Sequence, residues 1–575
     1  MDYHANYQRW LNSNIVDENT KAELLSISDN ENEIKERFHK DLEFGTGGLR
    51  GVIGAGSNRM NIYTVRRATQ GLCEDIKKSG QSAIDAGVVI AYDSRHKSYD
   101  FALESAKVIA ANGIKAYLFD ELRPTPELSF AVRHLGCARG IVITASHNPK
   151  QYNGYKAYGE DGGQLPPKST DNVISIINST DIFDDVKVIS EDEAKAKGLL
   201  EIIGKEIDDV YLENVKKQSV NSETIKKLGD NFSVIYSPFH GTGNKPVRRI
   251  LDMIGVKNVR VVKEQELPDP DFSTVKSPNP EEKEGFSYAI EMAKKESADL
   301  IFATDPDADR IGVIVTDSKG EFFTLTGNQV GVLLSEFILR NKKINGTLND
   351  KGAIIKTIVT TSMVYPIAKD YGVHVHDVLT GFKYIGELIK DFEDNDFYNE
   401  FLLGFEESYG YLSGTYARDK DSVVAAMLIA EMAADYKLKG MTLYDGLCSL
   451  YEKYGYYLES TKSFTFEGID GADKIKSIMN KFRENPPEEF AGMKVERMWD
   501  VKNSTITDMK TGEVSKLNLP SSDVFRYDLE NDSWFAVRPS GTEPKIKFYF
   551  GVCDNSYAKA ESKIDKCIAE ISKIL

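Results

Sequence analysis

Two short segments of the sequence carry side chains that could do chemistry. Residues 140–144 read as a buried strand, and the Ala-Ser-His-Asn-Pro segment that follows leaves the Ser146 hydroxyl in a loop. After a second apolar strand, Asp305, Asp307 and Asp309 occupy alternate positions, a spacing that lets three carboxylates converge on one hard cation. A hydroxyl nucleophile and an acidic metal loop together indicate phosphoryl transfer through a covalent phosphoserine.

Each segment also has a plainer interpretation. A serine after a strand is usually a turn or a helix cap, and an Asp-x-Asp-x-Asp run is most often a calcium loop or a solvated turn. The residues do not support the calcium loop, because Arg310 stands where that loop needs glycine and Thr316 where it needs a bidentate glutamate. Strands rather than helices flank the aspartates, so a catalytic metal site explains the pattern better.

Further motifs continue along the whole chain. In order they are Phe44-Gly-Thr-Gly-Gly-Leu-Arg-Gly51, Thr144-Ala-Ser-His-Asn-Pro149, Asp305-x-Asp307-x-Asp309-Arg310, Gly404-Phe-Glu-Glu-Ser-Tyr-Gly410 and Arg538-Pro-Ser-Gly-Thr-Glu-Pro544. Together they resemble the α-D-phosphohexomutase superfamily, which contains the phosphoglucomutases and phosphomannomutases. The resemblance implies an enzyme, an isomerase-class intramolecular phosphotransferase.

By this resemblance, phosphorylated Ser146 donates its phosphoryl group to one end of a sugar phosphate. The bisphosphate then turns around and returns its other phosphate to the serine. One Mg²⁺ per active site is expected on Asp305, Asp307, Asp309 and an oxygen of Ser146, where it would neutralise charge on the transferring group. Arg310 is expected to donate to the same phosphate, although an ordinary salt bridge to the aspartates explains it as well.

Three residues are candidates for catalytic roles around the sugar hydroxyl. His147 has a suitable intrinsic pKa, but adjacent side chains often point to opposite faces. Lys156 resembles the family position proposed as general acid or base, and nearby cations are expected to lower its pKa. Arg50 is too basic to titrate and is assigned to positioning. We predict that Lys156 handles the proton and that His147 orients the phosphoserine; the sequence leaves the reverse assignment open.

The family resemblance assigns sugar recognition to loops in the second half of the chain. Glu406 and Ser408, two residues apart on one extended face, are expected to bind adjacent sugar hydroxyls, whereas the loop taken alone would be a polar turn. Position 410 is glycine, where phosphomannomutase-like members often carry histidine, and this departure favours glucose phosphate. The other residues predicted to bind substrate are Thr380, Gly381, Lys383 and Lys420.

Residues 538–542 have the chemistry of a phosphate cradle. Arg538 offers a forked cation, Ser540 and Thr542 offer hydroxyls, and Gly541 allows close approach of the backbone. A β-turn with an exposed arginine explains the segment equally well when it is taken alone. A mutase needs such an anchor for the phosphate that is not reacting, whereas a phosphatase does not.

The elements that must position these loops alternate between strand and helix patterns, which indicates an α/β fold with doubly wound, mostly parallel sheets. Such sheets gather their active-site loops at the carboxyl ends of the strands. The segment Tyr-Ser-Pro-Phe-His-Gly-Thr-Gly at residues 236–243 also follows a strand; it could line a cleft, and a structural turn explains it equally well.

The predicted architecture has four domains around a central cleft, as the family resemblance also implies. Three successive α/β domains are expected over residues 1–208, 209–321 and 322–458. Aromatic strands and an amphipathic helix near the end of the chain indicate a C-terminal α+β domain over residues 459–575.

Composition limits the classes of partner. The chain of 575 residues is too long for one core, and its 41% hydrophobic and 28% charged residues are typical of a soluble globular protein. A net charge of −17 argues against nucleic acids and anionic membranes. Five scattered cysteines and a polar N-terminus favour a cytoplasmic protein, whose partners we expect to be small sugar phosphates. Whether it is a monomer or a dimer stays open.

The favoured activity is interconversion of glucose 1-phosphate and glucose 6-phosphate, with glucose 1,6-bisphosphate as intermediate and activator. The alternatives within the superfamily are phosphomannomutase and phosphopentomutase activity. A phosphomonoester hydrolase is less favoured, because hydrolysis does not require recognition of both ends of the substrate. A non-catalytic sugar-phosphate-binding protein is also less favoured, because the serine and all three aspartates are intact.

Overall fold

The computed structural model describes residues 2–45, 47–317, 319–395, 399–466, 471–540 and 545–574. The chain divides into two units. The first contains residues 1–325, 385–398 and 409–440, and the second contains residues 326–384, 399–408 and 441–575.

The first sheet of the first unit has six strands in the order β1-β5-β4-β2-β3-β6. Helices and strands up to residue 216 are α1 (Tyr3–Asn12), α2 (Glu18–Ser26), α3 (Glu31–Phe38), β1 (Gly48–Val52), α4 (Ile62–Lys78), α5 (Gln81–Ala86), β2 (Val88–Tyr92), α6 (Ser98–Ala111), β3 (Ala116–Phe119), α7 (Thr125–Leu135), β4 (Arg139–Ile143), β5 (Tyr152–Tyr158), α8 (Pro167–Ser179), α9 (Glu191–Ala196), β6 (Leu200–Ile203) and α10 (Lys205–Lys216). Strands β4, β2, β3 and β6 run parallel. Strand β5 pairs antiparallel with β4, and β1 pairs antiparallel with β5. Every residue of β2 is buried, as expected for a central parallel strand covered on both faces.

Helices α1–α3 add a small core of their own to the first unit. Trp10 is fully buried and packs edge-on against the rings of Phe38, Tyr63 and Phe183. Because Tyr63 lies on α4, this cluster joins the N-terminal helices to the first sheet.

The second sheet of the first unit has five strands in the order β11-β10-β9-β7-β8. Its helices and strands are α11 (Glu223–Leu228), β7 (Ser233–Ser237), α12 (Asn244–Met253), β8 (Asn258–Val261), α13 (Ser287–Glu296), β9 (Leu300–Thr304), β10 (Ile311–Thr316) and β11 (Phe322–Leu325). Strands β8, β7 and β9 are parallel, whereas β9 and β10 form an antiparallel hairpin. That hairpin turns through the three aspartates.

The chain then enters the second unit and later returns to the first. Along residues 326–454 the elements are α14 (Gly327–Ile344), β12 (Gly352–Thr357), α15 (Val364–Tyr371), β13 (His374–Val378), α16 (Phe382–Asp394), β14 (Glu400–Glu406), β15 (Gly410–Leu412), α17 (Ser422–Leu438) and α18 (Leu443–Tyr454). In the second unit, β13, β12 and β14 pair in parallel in that order. Helix α17 belongs to the first unit, where it packs against α11 and α12.

The C-terminal part of the second unit is an antiparallel sheet in the order β16-β23-β22-β21-β18-β19-β20, with β17 paired to β18. Its elements are β16 (Tyr456–Thr465), α19 (Gly471–Glu484), β17 (Glu489–Phe490), β18 (Met493–Asp500), β19 (Thr505–Asp508), β20 (Val514–Lys516), β21 (Phe525–Leu529), β22 (Trp534–Pro539), β23 (Lys545–Asp554) and α20 (Tyr557–Ile574). Helices α19 and α20 pack their apolar faces on this sheet.

The predicted fold class is confirmed. Three sheets carry parallel strands with helices between them, and the last sheet is antiparallel with two helices. The domain boundaries after residues 208, 321 and 458 stay a prediction. No helix in the described part of the chain combines the length and the apolar character needed to cross a membrane.

Candidate active site

Ser146 lies in the loop that leaves the carboxyl end of β4. It is almost fully buried, and its φ of 51° places it in the left-handed region, which residues other than glycine seldom adopt. Its backbone N–H donates to Thr144 Oγ1 at 2.8 Å, and its hydroxyl donates to Asp305 Oδ2 at 2.7 Å. Strained backbone of this kind persists where the surroundings hold it in place, and such positions cluster at functional sites.

The side chain of Arg95 binds the backbone of this loop. Its guanidinium donates to the backbone carbonyl oxygens of Ser146, Asn148, Pro149 and Tyr152 at 2.6, 2.5, 3.0 and 3.2 Å. The side chain is fully buried, so these carbonyl groups have little access to water. Arg95 therefore fixes the course of the backbone from Ser146 to Tyr152.

Sequence reasoning missed Arg95, although a signal for it exists. Asp93-Ser94-Arg95 directly follows β2, and β2 pairs in parallel with β4. Polar residues after two neighbouring parallel strands lie at the same edge of the sheet. The buried Asp93 carboxylate lies 3.3 Å from Arg95 Nε and keeps the arginine charge paired.

The aspartate loop is shaped by its own hydrogen bonds. Asp305 Oδ1 accepts the backbone N–H groups of Asp309 and Arg310 at 3.1 and 3.0 Å. Ala308 takes a left-handed φ of 50°, which lets the chain turn between β9 and β10. Oxygen atoms of Asp305, Asp307 and Asp309 consequently come within 4.8 Å of one another.

The three buried carboxylates suit a hard cation. Asp307 Oδ1 and Asp309 Oδ1 are buried and accept no hydrogen bond from any described residue. Burial, followed by the charges of Asp307 and Asp309, raises the pKa of Asp305 well above its usual range. These carboxylate oxygens could serve as ligands of a divalent cation, whose charge would offset the repulsion between them, so the loop could hold a metal ion such as Mg²⁺.

Lys156 lies on β5, opposite Gly48 of β1, and reaches the aspartates. Its Nζ donates to Asp307 Oδ2 at 2.7 Å and to Asp309 Oδ2 at 3.3 Å. Burial works against the charge, but Asp307 and Asp309 outweigh it and raise the pKa of Lys156. The expectation that nearby cations lower this pKa is therefore wrong for the chain alone, because carboxylates are its nearest charges and Lys420 contributes less.

Lys420 comes to the same cluster from the segment after β15. Its Nζ lies 3.2 Å from Asp309 Oδ2 and 3.0 Å from Asp419 Oδ1. Asp419 Oδ2 accepts from the hydroxyl of Tyr158 at 2.8 Å. Sequence reasoning missed Asp419 and Tyr158, which connect Lys420 to β5, because the pair is separated by 261 residues in the chain.

His147 and Arg50 contact the serine loop. Although adjacent, Ser146 and His147 do meet, since Ser146 Oγ lies 3.3 Å from His147 Nδ1. Burial, followed by the charges of Arg310 and Arg50, lowers the pKa of His147 to about 2, so the ring is neutral. Arg50 Nη1 donates to Asn148 Oδ1 at 3.3 Å.

Arg310 pairs with Glu281 and lies near Asp309. Its Nη1 donates to Glu281 Oε1 at 2.7 Å, and its Nε lies 3.8 Å from Asp309 Oδ1. The first unit thus brings together all of the predicted residues from its part of the chain, which are Arg50, Ser146, His147, Lys156, Asp305, Asp307, Asp309, Arg310 and Lys420.

The second unit carries the predicted sugar-binding residues. Glu406 Oε1 accepts the backbone N–H of Gly381 at 2.8 Å, so the two loops assigned to the sugar are in contact. Strand β14 ends at Glu406 and residues 407–409 form a turn. The prediction that Glu406 and Ser408 share one extended face is therefore wrong. Thr380 lies just before Gly381, and Lys383 Nζ lies 5.0 Å from the centre of the Tyr384 ring.

Arg538 lies on β22, near its end, in the same unit as Glu406. Burial, followed by the charges of Glu407 and Glu406, raises the pKa of Tyr549 to about 12, while Arg538 acts in the opposite direction through charge and a hydrogen bond. Tyr549 is therefore close to both predicted loops. The backbone N–H of Ser540 donates to the carbonyl of Lys545 at 2.7 Å. The other predicted phosphate ligands, Gly541 and Thr542, lie outside the described residues.

Comparison with known proteins agrees with this geometry. Domain models of the phosphoglucomutase/phosphomannomutase family match four parts of the chain. Alpha/beta/alpha domain I matches residues 41–182, domain II residues 209–320, domain III residues 326–454, and the C-terminal domain residues 483–563.

Curated relatives match over most of their own length. The chain is 36% identical over 537 residues to a phosphoglucomutase of Staphylococcus aureus strain bovine RF122 / ET3-1, and 37% identical over 537 residues to that of strain USA300. Each alignment covers 93% of this chain and 94% of the relative.

Solved structures share the fold at lower identity. A putative phosphomannomutase from Thermus thermophilus is similar with a TM-score of 0.67 and 22% identity, over 93% of this chain and 99% of that one. The open form of the Paramecium phosphoglucomutase pp63/parafusin has a TM-score of 0.67 and 21% identity, over 93% and 95% of the two chains. With its four matched domains and its curated relatives, the chain belongs to the phosphoglucomutase/phosphomannomutase family of the α-D-phosphohexomutase superfamily and is a mutase, an isomerase-class phosphotransferase.

Proposed function

We propose that the protein interconverts glucose 1-phosphate and glucose 6-phosphate through a phosphorylated Ser146 and a glucose 1,6-bisphosphate intermediate. The observation that carries the proposal is the 2.7 Å hydrogen bond from Ser146 Oγ to Asp305 Oδ2, at a cluster of three buried carboxylates. This geometry supports transfer of a phosphoryl group to and from the serine oxygen. The choice of glucose is supported by the curated relatives, which are named phosphoglucomutases.

Asp305, Asp307 and Asp309 would hold one Mg²⁺ together with an oxygen of Ser146. The buried Oδ1 atoms of Asp307 and Asp309, which accept no hydrogen bond from the described residues, support this assignment. A bound divalent cation would neutralise the charge that spreads over the phosphoryl oxygens during transfer.

The side chains around the serine have distinct parts in the transfer. Arg95 keeps the loop backbone in place, so that the serine oxygen is already oriented before the substrate arrives. Lys156, whose pKa the aspartates raise, donates a proton to the sugar oxygen as its phosphoryl group leaves and takes the proton back in the reverse step. His147 is a neutral neighbour of the serine oxygen and orients the phosphoserine. Arg50, Arg310 and Lys420 bind phosphate oxygens.

Recognition of the rest of the substrate is assigned to the second unit. We infer that Glu406 and Ser408 bind sugar hydroxyls and that Thr380, Gly381 and Lys383 contact the sugar from the neighbouring loop. The hydrogen bond between Glu406 and Gly381 supports a shared role for the two loops. Arg538, Ser540, Gly541 and Thr542 would bind the phosphate that is not reacting, and this is the anchor that lets the bisphosphate return in the opposite orientation.

Phosphomannomutase and phosphopentomutase activities are the alternatives within the same chemistry. Glycine at position 410 favours glucose phosphate over mannose phosphate. An intact transfer site would serve any of these sugars, so the substrate must be tested directly.

Phosphorus NMR of one mixture tests both the chemistry and the sugar. The mixture contains glucose, mannose, glucosamine and ribose 1-phosphates with Mg²⁺ and catalytic glucose 1,6-bisphosphate. We expect rapid conversion of the glucose 1-phosphate signal to glucose 6-phosphate. Preferred conversion of another sugar would replace the glucose assignment, and growth of free phosphate would indicate a hydrolase.

The Ser146→Ala variant is the matched control for that experiment. It removes the oxygen that accepts the phosphoryl group, so we expect a loss of at least about 10³-fold in kcat with an unchanged circular dichroism spectrum. Turnover within tenfold of the wild type would contradict the phosphoserine assignment.

A further inference from the structure

A cavity of about 120 Å³ lies in the first unit next to the aspartate loop. Its wall comes from the start of α7, from α10, and from the segment that leads into α12, with an apolar surface supplied by Leu122, Leu212, Pro246, Leu267 and Pro268. One buried water occupies about 10–15 Å³ of such a cavity, so the space admits a molecule of about ten non-hydrogen atoms. A concave, mostly apolar pocket with a few polar groups in its wall has the character of a small-molecule site.

One buried polar atom in the wall, Oγ1 of Thr242, has no hydrogen-bond partner among the described residues, and its residue is only 3% exposed. Glu127 Oε1 also accepts no hydrogen bond from the described residues, but it forms an ion pair with Arg123 Nε at 3.9 Å. Buried polar groups in folded proteins are nearly always hydrogen-bonded, so the Thr242 hydroxyl calls for an explanation. A ligand hydroxyl can donate to this oxygen or accept from it.

The charges around the cavity are already paired. Arg123 Nε donates to Asp208 Oδ1 at 2.7 Å, Lys245 forms an ion pair with Glu121, and Arg249 forms one with Asp209. Glu127 Oε1 lies 3.9 Å from Arg123 Nε, while burial, followed by the charge of Asp208, raises the pKa of this carboxyl well above its usual range. An uncharged ligand therefore meets no unbalanced charge, whereas an ionic one would have to displace existing pairs.

The cavity is connected to the aspartate loop through the same two wall segments. The Thr242 N–H donates to the carbonyl of Pro306 at 2.8 Å. Thr125, half a turn before Glu127 on α7, donates from its N–H to the Asp307 carbonyl at 2.9 Å and from its hydroxyl to Asp307 Oδ2 at 2.8 Å. A ligand bonded to Thr242 would therefore restrain a residue that holds the loop.

The segment at residues 236–243, which sequence reasoning left unassigned, forms part of this wall. Phe239 and His240 take left-handed φ angles of 42° and 61°, an uncommon arrangement for two consecutive residues with side chains. They lead to Gly241, where a Cβ atom would come within 2.5 Å of Pro306. The strained turn brings the segment against the aspartate loop and places Thr242 at the cavity.

We propose that this cavity binds a small uncharged molecule with a hydroxyl on an apolar body, and that its occupant tightens divalent cation binding at Asp305–Asp309. The second half of the proposal rests on the cation site proposed above, and the first half does not. Tightening is expected because restraining the loop before the cation arrives reduces the entropy that cation binding would lose.

Binding is tested with benzyl alcohol on the full chain, by saturation-transfer NMR and by calorimetry. Phenylacetate and benzylammonium have the same aromatic body with a negative or a positive charge. We expect saturable binding of benzyl alcohol and at least about tenfold weaker binding of both ions. No saturable binding of benzyl alcohol, or equal binding of either ion, would overturn the proposed ligand class.

Two variants locate the bound molecule. Thr242→Val removes the unpaired hydroxyl at nearly constant volume, and Leu267→Trp fills the mouth from a side chain that is 71% exposed and therefore tolerant of change. We expect each to weaken benzyl alcohol binding about tenfold. Thr224→Val is the matched control, since Thr224 is also buried but does not line the cavity. Equal affinity in all three variants would place the binding elsewhere and overturn the site.

Coupling is tested by titrating Mg²⁺ with and without saturating benzyl alcohol. We expect at least a twofold tighter Mg²⁺ affinity in the wild type and no change in Leu267→Trp. An unchanged affinity in the wild type would overturn the coupling. Absence of Mg²⁺ binding in both titrations would contradict the cation site and the coupling with it, whereas the benzyl alcohol titration decides separately whether the cavity binds a ligand.

Discussion

At the scale of single residues, Ser146 and Arg95 act together, because Arg95 binds the backbone of the loop that presents the Ser146 hydroxyl. The Ser146 hydroxyl is the reacting group in the proposed mechanism, but the left-handed backbone that presents it has no stability of its own. Four carbonyl groups, those of Ser146 and of three residues that follow it, accept hydrogen bonds from the Arg95 guanidinium, whose planar fork of donors can reach several acceptors at once. Positioning of the nucleophile therefore depends on a residue 51 positions away in the chain.

Arg95→Lys should slow the reaction without removing the charge. A lysine keeps Asp93 paired but cannot reach all four carbonyl groups, so the serine oxygen loses its fixed orientation. We expect kcat to fall about 10–100-fold with little change in KM. Steady-state kinetics measure the two constants separately. Arg66→Lys on α4, where Arg66 forms an ion pair with Glu104 of α6, is the control, and its kcat should stay near that of the wild type. A kcat for Arg95→Lys within twofold of the wild type would contradict the positioning role.

Glu459 on β16 should make stability depend on pH. Burial raises its pKa to about 7, and hydrogen bonds to Thr361 and Asn328 offset only part of this effect. Since the folded protein keeps a proton that the unfolded chain has released, the contribution to stability is complete below about pH 4.5 and declines as the pH rises towards 7. Glu459→Gln removes this decline. Between pH 5 and pH 8 we therefore expect the free energy of unfolding of the variant to rise by about 2 kcal/mol relative to that of the wild type.

Urea unfolding of the wild type and Glu459→Gln at the two pH values measures this difference. The exposed Glu452→Gln on α18 is the control and should follow the wild type at both. If the free energy of unfolding of Glu459→Gln differed from that of the wild type by the same amount at pH 5 and pH 8, Glu459 would not titrate between these pH values.

Residue types and spacing were enough to predict that Ser146 and the three aspartates lie together, but not the mutual electrostatics of the site. Ser146 and the three aspartates were recognised because each follows a buried strand, and the hydrogen bond between Ser146 and Asp305 confirms that they meet. The direction of the Lys156 pKa was wrong, because a sequence does not show which charges are nearest to a side chain. Arg95 was missed for a related reason: its partners are backbone carbonyl groups, which leave no signature in the sequence.

At the scale of elements, β5 is the strand on which the site in the first unit depends. It lies between β1, which carries Arg50, and β4, which leads to Ser146, and it carries Lys156 itself. The three strands approach closely at Gly154. A Cβ atom there would lie 2.5 Å from the carbonyl oxygen of Thr144 and 2.8 Å from that of Leu49.

Gly154→Ala should therefore disturb stability and activity together. The added methyl group forces β1 or β4 to move, and we expect a loss of about 1–3 kcal/mol in stability and at least a tenfold loss in kcat. Gly163→Ala is the matched control, because its nearest neighbours would lie at ordinary contact distances of 3.4–3.6 Å. Thermal unfolding and steady-state kinetics of the two variants check the prediction, and a fully active Gly154→Ala would show that the strands have room to adjust.

Most elements were predictable because strand and helix periodicities are local. Strands alternate with helices in the first two sheets, as the strand and helix patterns predicted, and the predicted amphipathic helix near the end of the chain is α20. The pattern failed at residues 406–408, where the expected extended face is a turn. Tyr409 has a left-handed φ of 66°, a conformation that a tyrosine in the sequence gives no reason to expect.

At the scale of the whole molecule, the proposed tasks are divided between the two units. The residues assigned to the reacting phosphoryl group belong to the first unit, and those assigned to the sugar and the second phosphate belong to the second, with Lys420 returning to the first through residues 409–440. Sequence reasoning placed Lys420 in the third domain and did not foresee this return. The packing of α17 on α11 and α12 is a long-range contact that local patterns do not encode.

This division predicts that binding of the second phosphate can be weakened without harming the cation site. Arg538→Ala removes a charged donor from the proposed anchor, and loss of a charged hydrogen bond costs about 1.5–3 kcal/mol. We therefore expect KM for glucose 1-phosphate to rise roughly 10–100-fold while Mg²⁺ affinity, measured by calorimetry, stays at the wild-type value.

Arg497→Ala supplies the comparison that makes this result specific. Arg497 lies on β18 of the same antiparallel sheet, with an exposed side chain paired to Asp528, so its loss changes the charge of that sheet equally but leaves the proposed anchor intact. If KM rose in both variants, a general effect of charge would explain the result, because the net charge of −17 already repels an anionic substrate. A rise in Arg538→Ala alone, at unchanged Mg²⁺ affinity, would assign the second phosphate to this loop and separate a mutase from a hydrolase, which has no use for such an anchor.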